Sequence, residues 1–187
     1  MDYSRKHREY ENQTGPVRRG VGCALFWYNT AVWPISLESC SCRMVLNQDG
    51  SIQLQTGETE IGQGCDTAFA QMAADAVGIP VSDVHVVTAQ DTDVTPFGTG
   101  AYASRQTYVG GFAIAQTGAL LKERILKYAC ELTRQMPALL DIVDGRIIRK
   151  TDGRVLMTLG ELATEALYSL SHSEHLTAES TYQIKNN

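Results

Sequence analysis

The stretch that decides the fold is Gly57-Glu-Thr-Glu-Ile-Gly-Gln-Gly64, a glycine-rich loop between a predicted strand and a predicted helix. The strand, Ser51-Ile-Gln-Leu-Gln-Thr56, alternates apolar and polar residues, whereas apolar residues recur at helical spacing from Asp66 to Val77. Gly78-Ile-Pro80 is a typical helix stop. A helix start presents unpaired N–H groups and a partial positive charge, so this unit predicts a bound anion or a phosphorylated cofactor.

A second unit of the same kind follows further along the chain. Val84-His-Val-Val-Thr88 predicts a short strand that brings the next segment to the same edge of the sheet, and Pro96-Phe-Gly-Thr-Gly100 is a second glycine loop. A helix is predicted from Gln106 towards Leu132. Its first half is rich in glycine and alanine, which predicts that it packs closely on its neighbours.

The start of this second helix leaves two interpretations open. Ser104 could cap the helix while Arg105 offers a bidentate guanidinium to a phosphate. The same residues could equally form an ordinary capped helix with a surface arginine.

The other segments complete an α+β pattern, a mixed or antiparallel sheet with helices packed on it. The turn Asn47-Gln-Asp-Gly50 predicts an antiparallel hairpin between its flanking strands. The remaining predicted elements are a buried strand at Gly20–Tyr28, a strand at Ser39–Leu46, a hairpin about Asp144-Gly145, a helix over Thr158–Leu167 with a capping box to Glu161, and a strand at Glu179–Tyr182.

Length and composition predict one globular domain over residues 20–187, preceded by a polar lead-in segment over residues 1–19. The net charge of −5 disfavours nucleic-acid binding. The charged N-terminus and the absence of a long apolar run predict a cytoplasmic chain without membrane contact. The odd number of cysteines predicts reduced thiols, and Cys40-Ser-Cys42 fits buried small side chains better than a metal cluster.

The first glycine loop has the outline of a P-loop without its chemistry. Gln63 stands where the lysine would be, and Cys65 replaces the hydroxyl residue that would bind Mg²⁺, so nucleoside triphosphate hydrolysis is excluded. A neutral glutamine suits a heterocycle or an oxygen on a metal ion. Glu58 and Glu60 are expected to have structural or solvated roles rather than to form a catalytic carboxylate pair.

Three segments together resemble a known family. They are Gly57-Glu-Thr-Glu-Ile-Gly-Gln-Gly-Cys-Asp-Thr67, Ala89-Gln-Asp-Thr-Asp-Val-Thr-Pro96 and Gly100-Ala-Tyr-Ala-Ser-Arg-Gln-Thr-Tyr-Val-Gly-Gly111. The chain resembles the molybdenum-binding subunit of the xanthine dehydrogenase family, the molybdenum hydroxylases, and most closely the bacterial subunits of split enzymes. The likeness runs from about Arg18 to Tyr182 and corresponds to the C-terminal part of the molybdenum-binding region, half of a molybdopterin-binding domain.

The resemblance implies a molybdopterin cofactor with molybdenum, often in its cytosine dinucleotide form. It also implies oxidation of a purine or similar N-heterocycle, with water as the oxygen source. Gln63 and Ala103 would lie near the metal. The cofactor-binding residues it implies are Ile61, Gly62, Gln63, Gly64, Ala103, Ser104, Arg105 and Gln106.

Two family motifs are missing from the sequence. Neither the earlier G-G-F-G-G-K-type loop nor the late G-x-G-E-type segment with the general base occurs here, so no catalytic residue is assigned and the chain is expected to be inactive alone. The expected partners are the rest of the molybdenum-binding subunit, an FAD subunit and an iron–sulfur subunit. A half-built domain should expose apolar surface where its missing partner packs, which predicts an oligomer or poor solubility in isolation. Two alternatives stay open, a noncatalytic remnant or assembly module without cofactor and an unrelated phosphate-binding protein.

Overall fold

The predicted hairpin lies in the middle of the main sheet. The structure, a computed structural model, describes residues 2–32 and 38–184. Strands β1 (Ser39–Leu46) and β2 (Ile52–Thr56) pair antiparallel, β3 (Val84–Val86) pairs parallel with β2, and β7 (Thr177–Gln183) pairs antiparallel with β1. The strand order is β3-β2-β1-β7, so the sheet is mixed, as predicted.

Two helices pack against each other and cover this sheet. Helix α2 spans Cys65–Val77, and helix α3 spans Gly111–Thr133 after a π-helical turn at Gln106–Gly110. A Cβ atom added at Gly118 would lie 2.6 Å from the Cβ of Ala76 on α2. The small residues of α3 therefore let the two helix backbones approach closely, as the composition predicted.

A smaller antiparallel sheet contains β4 (Leu140–Val143), β5 (Arg146–Arg149) and β6 (Arg154–Thr158). The turn between β4 and β5 places Asp144 and Gly145 at φ 48° and 69°, which is the backbone that an Asp-Gly hairpin turn requires. Helix α4 (Leu159–Tyr168) follows β6, and the predicted capping box between Thr158 and Glu161 is present. Short 3₁₀ turns occupy Val81–Asp83 and Pro137–Leu139.

The N-terminal segment differs from its prediction. Gly20–Tyr28 forms no strand, and Leu25, Phe26 and Trp27 are 95%, 91% and 89% exposed, so the prediction of a buried strand is wrong. Within the lead-in segment, helix α1 (Tyr3–Glu11) buries none of its residues. No helix among the described residues is both long and apolar enough to cross a membrane.

The cysteine pair of β1 is part of the core. Cys40 and Cys42 are fully buried, as the sequence predicted. Burial raises the pKa of each thiol to about 12, which keeps both protonated at neutral pH. Protonated, buried thiols pack as small apolar side chains rather than as metal ligands.

Candidate functional site

The two glycine loops meet at one edge of the main sheet. Because β2 and β3 are parallel, the segments that follow them leave the sheet in the same direction. Gly57 and Gly98 then touch through their backbones. A Cβ atom added at Gly57 would lie 2.2 Å from the Gly98 nitrogen, so only glycine fits there without moving the second loop.

A cleft of about 460 Å³ lies between the first loop and the start of the second helix. The structure thus brings together six of the eight predicted cofactor residues, and Gly62 and Gly64 lie in the loop that carries two of them. The residues that line the cleft are Tyr28, Ile61, Gln63, Ala101, Tyr102, Ala103, Ser104, Arg105, Gln106 and Thr107.

A pair of side-chain amides joins the two walls of the cleft. Gln63 Nε2 donates to Gln106 Oε1 and, at 3.0 Å, to the Thr59 carbonyl, which also accepts from Gln106 Nε2 at 2.9 Å. Gln63 Oε1 accepts the N–H of Ile61 at 2.7 Å. Both glutamines are therefore held by internal hydrogen bonds, and their positions relative to each other are fixed.

Glu60 supplies the anion at the start of α2. Its carboxylate accepts the backbone N–H groups of Gly62, Gly64 and Asp66 at 2.8, 2.9 and 3.2 Å. These hydrogen bonds lower the pKa of Glu60, with the Gly64 donor contributing most. Glu60 thus occupies the backbone N–H groups that a bound anion at this helix start would use. The expected structural role of Glu60 agrees with this arrangement.

The loop should therefore loosen in acid. A carboxylate with a lowered pKa stabilises the folded loop above its ordinary pKa of 4.5, and this contribution disappears as the pH falls through the lowered value. In an NMR titration, the Gly62 and Gly64 amide resonances should shift with a midpoint below 4.5, and Glu60→Gln should abolish the shift. A midpoint at or above the ordinary value would contradict the hydrogen-bonded geometry.

Glu60 also lies near two other potential metal ligands, Cys65 and Asp66, with ligand atoms within 4.8 Å of one another. Burial, followed by the charges of Glu60 and Asp66, raises the pKa of the Cys65 thiol to about 12. A protonated thiol is a poor metal ligand, and the Glu60 oxygens already accept backbone donors. We assign no metal to this cluster.

Arg105 differs from its predicted role. Its side chain is fully buried and forms ion pairs with Glu38 at 2.7 Å and Glu58 at 2.5 Å. Burial alone would lower the pKa of the guanidinium, but the two carboxylates outweigh this effect and raise it. The hypothesis that the Arg105 guanidinium binds a phosphate in the cleft is therefore wrong, because the two buried carboxylates already hold it. Glu58 has the structural role that the sequence predicted.

Tyr28 is a cleft residue that the sequence reasoning missed. Its hydroxyl accepts the N–H of Ala103 at 2.8 Å, and the Ala31 N–H donates to the Ala103 carbonyl at 2.6 Å. Ala31, Ala103 and Ser104 adopt φ values of 66°, 47° and 46°, which are rare for residues other than glycine. Such strained backbone concentrates at functional sites, and two of these residues, Ala103 and Ser104, line the cleft.

Known proteins resemble this chain in both sequence and fold. Residues 1–187 match the family described as Molybdopterin cofactor-binding domain. The chain belongs to this family. The xanthine dehydrogenase molybdenum-binding subunit of Escherichia coli O157:H7 is 44% identical over 188 residues, which cover 100% of this chain and 25% of that subunit.

Solved structures with a similar fold belong to longer chains. Quinoline 2-oxidoreductase from Pseudomonas putida 86 has a TM-score of 0.69 and 28% identity, over 79% of this chain and 19% of that one. Reconstituted CO dehydrogenase from Oligotropha carboxidovorans has the same TM-score and identity, over 79% of this chain and 18% of that one. This molybdopterin-binding domain thus spans about a quarter of the length of its xanthine dehydrogenase relative.

The cleft of the molybdopterin-binding domain fits the group that the family name implies. Its polar side chains, including Gln63, Ser104 and Gln106, are neutral donors and acceptors that suit a pterin ring. A Cβ atom added at Gly62 or Gly64 would meet nothing within 4 Å, so a ligand can approach the backbone of the loop. The first turn of the second helix adds backbone N–H groups that suit a phosphate.

Proposed function

We propose that this chain supplies cofactor contacts to a xanthine-dehydrogenase-like hydroxylase that oxidises a purine or similar N-heterocycle with water as the oxygen source. The observation that carries the proposal is the shared cleft. Loops that are distant in the sequence bring Gln63 and Gln106 into direct hydrogen bonding. A single ligand can therefore touch both loops at once, as a pterin with a phosphate tail would.

In this proposal the residues of the cleft bind and orient molybdopterin, in its plain or cytosine dinucleotide form. Gln63 and Ala103 would lie near the molybdenum, and Ile61 lines the cleft and is 68% exposed. Gly62 and Gly64 shape the loop through their positive φ values. When bound, the group supplies the redox centre at which the heterocycle is oxidised.

The phosphate contacts in this proposal come from the start of the second helix. Ser104 offers a hydroxyl, and the backbone N–H groups of the turn that begins at Gln106 point towards the N-terminal end of the helix. The Arg105 guanidinium faces the two buried carboxylates and its backbone N–H donates to the Tyr102 carbonyl at 3.2 Å, so Arg105 is not among these contacts. A neutral site of this kind binds phosphate through amide dipoles rather than through a cation.

The proposed partners follow from the missing motifs and from the resemblance to the family. The general base and the remaining cofactor contacts would come from the rest of the molybdenum-binding subunit, and FAD and iron–sulfur centres from partner subunits. Family membership argues against an unrelated phosphate-binding protein. The competing hypothesis is that the chain is a noncatalytic remnant or assembly module that binds no cofactor. Molybdenum and released pterin in the purified assembly would support the proposal, and an assembly without either would support the remnant.

Replacing Gln63 with Ala should lower molybdenum occupancy by about tenfold to hundredfold, the usual effect of losing a side chain that orients a bound metal group. The side chain joins both walls of the cleft, so its loss removes a direct contact and frees Gln106. Metal analysis by mass spectrometry and pterin fluorescence after release would measure the change in the assembled enzyme.

Gln71→Ala is the matched control for this experiment. Gln71 is exposed on α2, the helix that follows the first loop, and lies outside the cleft. It should leave molybdenum occupancy unchanged. Equal occupancy in the Gln63→Ala enzyme and the wild type would reject the proposed contact.

A further inference from the structure

Arg105 is the largest fully buried side chain in the described part of the molecule. Its guanidinium makes four hydrogen bonds, to Glu38 at 2.7 Å, Glu58 at 2.5 Å, the Gly100 carbonyl at 3.1 Å and the Ser39 carbonyl at 2.7 Å. Few donors are left for a ligand, since a guanidinium carries five N–H groups. Four of the five N–H groups of the buried cation are thus engaged within the protein.

These bonds connect every segment that forms the cleft. Glu58 belongs to the first glycine loop, Gly100 to the second, and Arg105 itself begins the second helix. The other oxygen of Glu38 accepts the Val32 N–H at 2.8 Å, which ties in the segment that carries Tyr28. One planar cation therefore fixes the two glycine loops directly, and the Tyr28 segment through Glu38, relative to one another.

Packing alone does not explain this cluster. Removing ions from water is costly, and an apolar side chain of similar volume would fill the same space at a lower cost. The cluster also holds two carboxylates for one guanidinium, and Glu58 Oε2 is buried without a hydrogen-bond partner among the described residues. What an apolar side chain cannot provide is directional bonding to several chain segments at once.

We infer that Arg105 is a positioning residue for the cofactor cleft. Through Glu38 and Glu58 it holds the two glycine loops and the Tyr28 segment in the arrangement that lets Gln63 and Gln106 meet. Its effect on cofactor binding rests on the function proposed above. Its effect on the geometry of the cleft does not.

Hydrogen–deuterium exchange on the cofactor-free 187-residue chain tests this inference directly. Arg105→Lys keeps the charge but loses the planar fork, and Glu58→Gln keeps the shape but removes one ion pair. Each variant should exchange at least about tenfold faster than the wild type in peptides covering residues 57–64 and 98–107, corresponding to about 1.4 kcal/mol of lost local stability. Peptides from α4 should exchange as in the wild type.

Arg43→Lys is the matched control, because Arg43 forms an exposed ion pair with Glu179 at 2.7 Å on the same sheet. It should leave exchange in both loops unchanged. Unaltered loop exchange in Arg105→Lys and Glu58→Gln would overturn the inference. So would equal acceleration in α4 or failure of both variants to fold, because either result would indicate a general structural role.

Cofactor loading of the assembled enzyme separates this inference from the proposed function. Faster loop exchange in the variants, combined with a wild-type assembly that lacks molybdopterin, would refute the function and leave the positioning role standing. The opposite result is also distinguishable. If the wild type and the Arg105→Lys variant contain equal amounts of molybdopterin and their loops exchange at the same rate, the positioning role is refuted and the function stands.

Discussion

Replacing Arg105 with Met is expected to lower the free energy of unfolding by about 3–5 kcal/mol, the typical cost of removing one member of a buried ion pair. The substitution would leave Glu38 and Glu58, whose side chains are fully buried, without their cation. Two unpaired carboxylates in a low-dielectric environment repel each other and must take up protons or reach solvent. Urea denaturation followed by far-UV circular dichroism would measure the loss.

The same change at Arg43 provides the comparison. Arg43 and Glu179 are 39% and 51% exposed, so water and salt screen their ion pair, and Arg43→Met should cost no more than about 1 kcal/mol. Equal losses for the two variants would show that the buried cluster contributes no more than an exposed pair. A second check is Glu58→Gln in the Arg105→Met background, which should recover part of the stability by removing one unpaired charge.

Local signals in the sequence predicted most of the fold. The turn at residues 47–50 predicted the hairpin of β1 and β2, and Gly78 predicted the end of α2, where it adopts a left-handed conformation. Glu161 predicted the capping box at the start of α4. Each of these signals depends on residues that are close together in the chain. The π-helical turn at Gln106–Gly110 carries no such signal, and the sequence predicted ordinary helix there.

The errors arose where the decisive partner is distant in the sequence. Arg105 next to a helix start predicts a phosphate ligand, but its carboxylates lie 67 and 47 residues away and cannot be recognised from the local motif. The apolar segment that ends at Tyr28 has the composition of a buried strand. It has no strand partner within the described residues and instead bonds to Ala103. The meeting of the two loops was predictable, because parallel strands deliver both to one edge.

Replacing Gly57 with Ala should both destabilise the chain and disrupt the cleft. The added Cβ atom would lie 2.2 Å from the Gly98 nitrogen, 2.4 Å from the Phe97 carbonyl carbon and 2.4 Å from the Pro96 carbonyl oxygen. These are backbone atoms, so the clash cannot be relieved by rotating a side chain, and the second loop must move. We expect a loss of about 3 kcal/mol, the upper end of the usual cost of overpacking.

The displacement has a consequence beyond stability, because the second loop leads into the wall that carries Ala103 and Gln106. Molybdenum occupancy of the assembled enzyme should therefore fall together with the free energy of unfolding, which metal analysis and urea denaturation would measure on the same preparations. Gly22→Ala is the matched control, since a Cβ atom there meets nothing within 4 Å and the change should stay within about 0.5 kcal/mol. A Gly57→Ala enzyme with wild-type stability and full occupancy would show that the loops do not need their backbone contact to form the cleft.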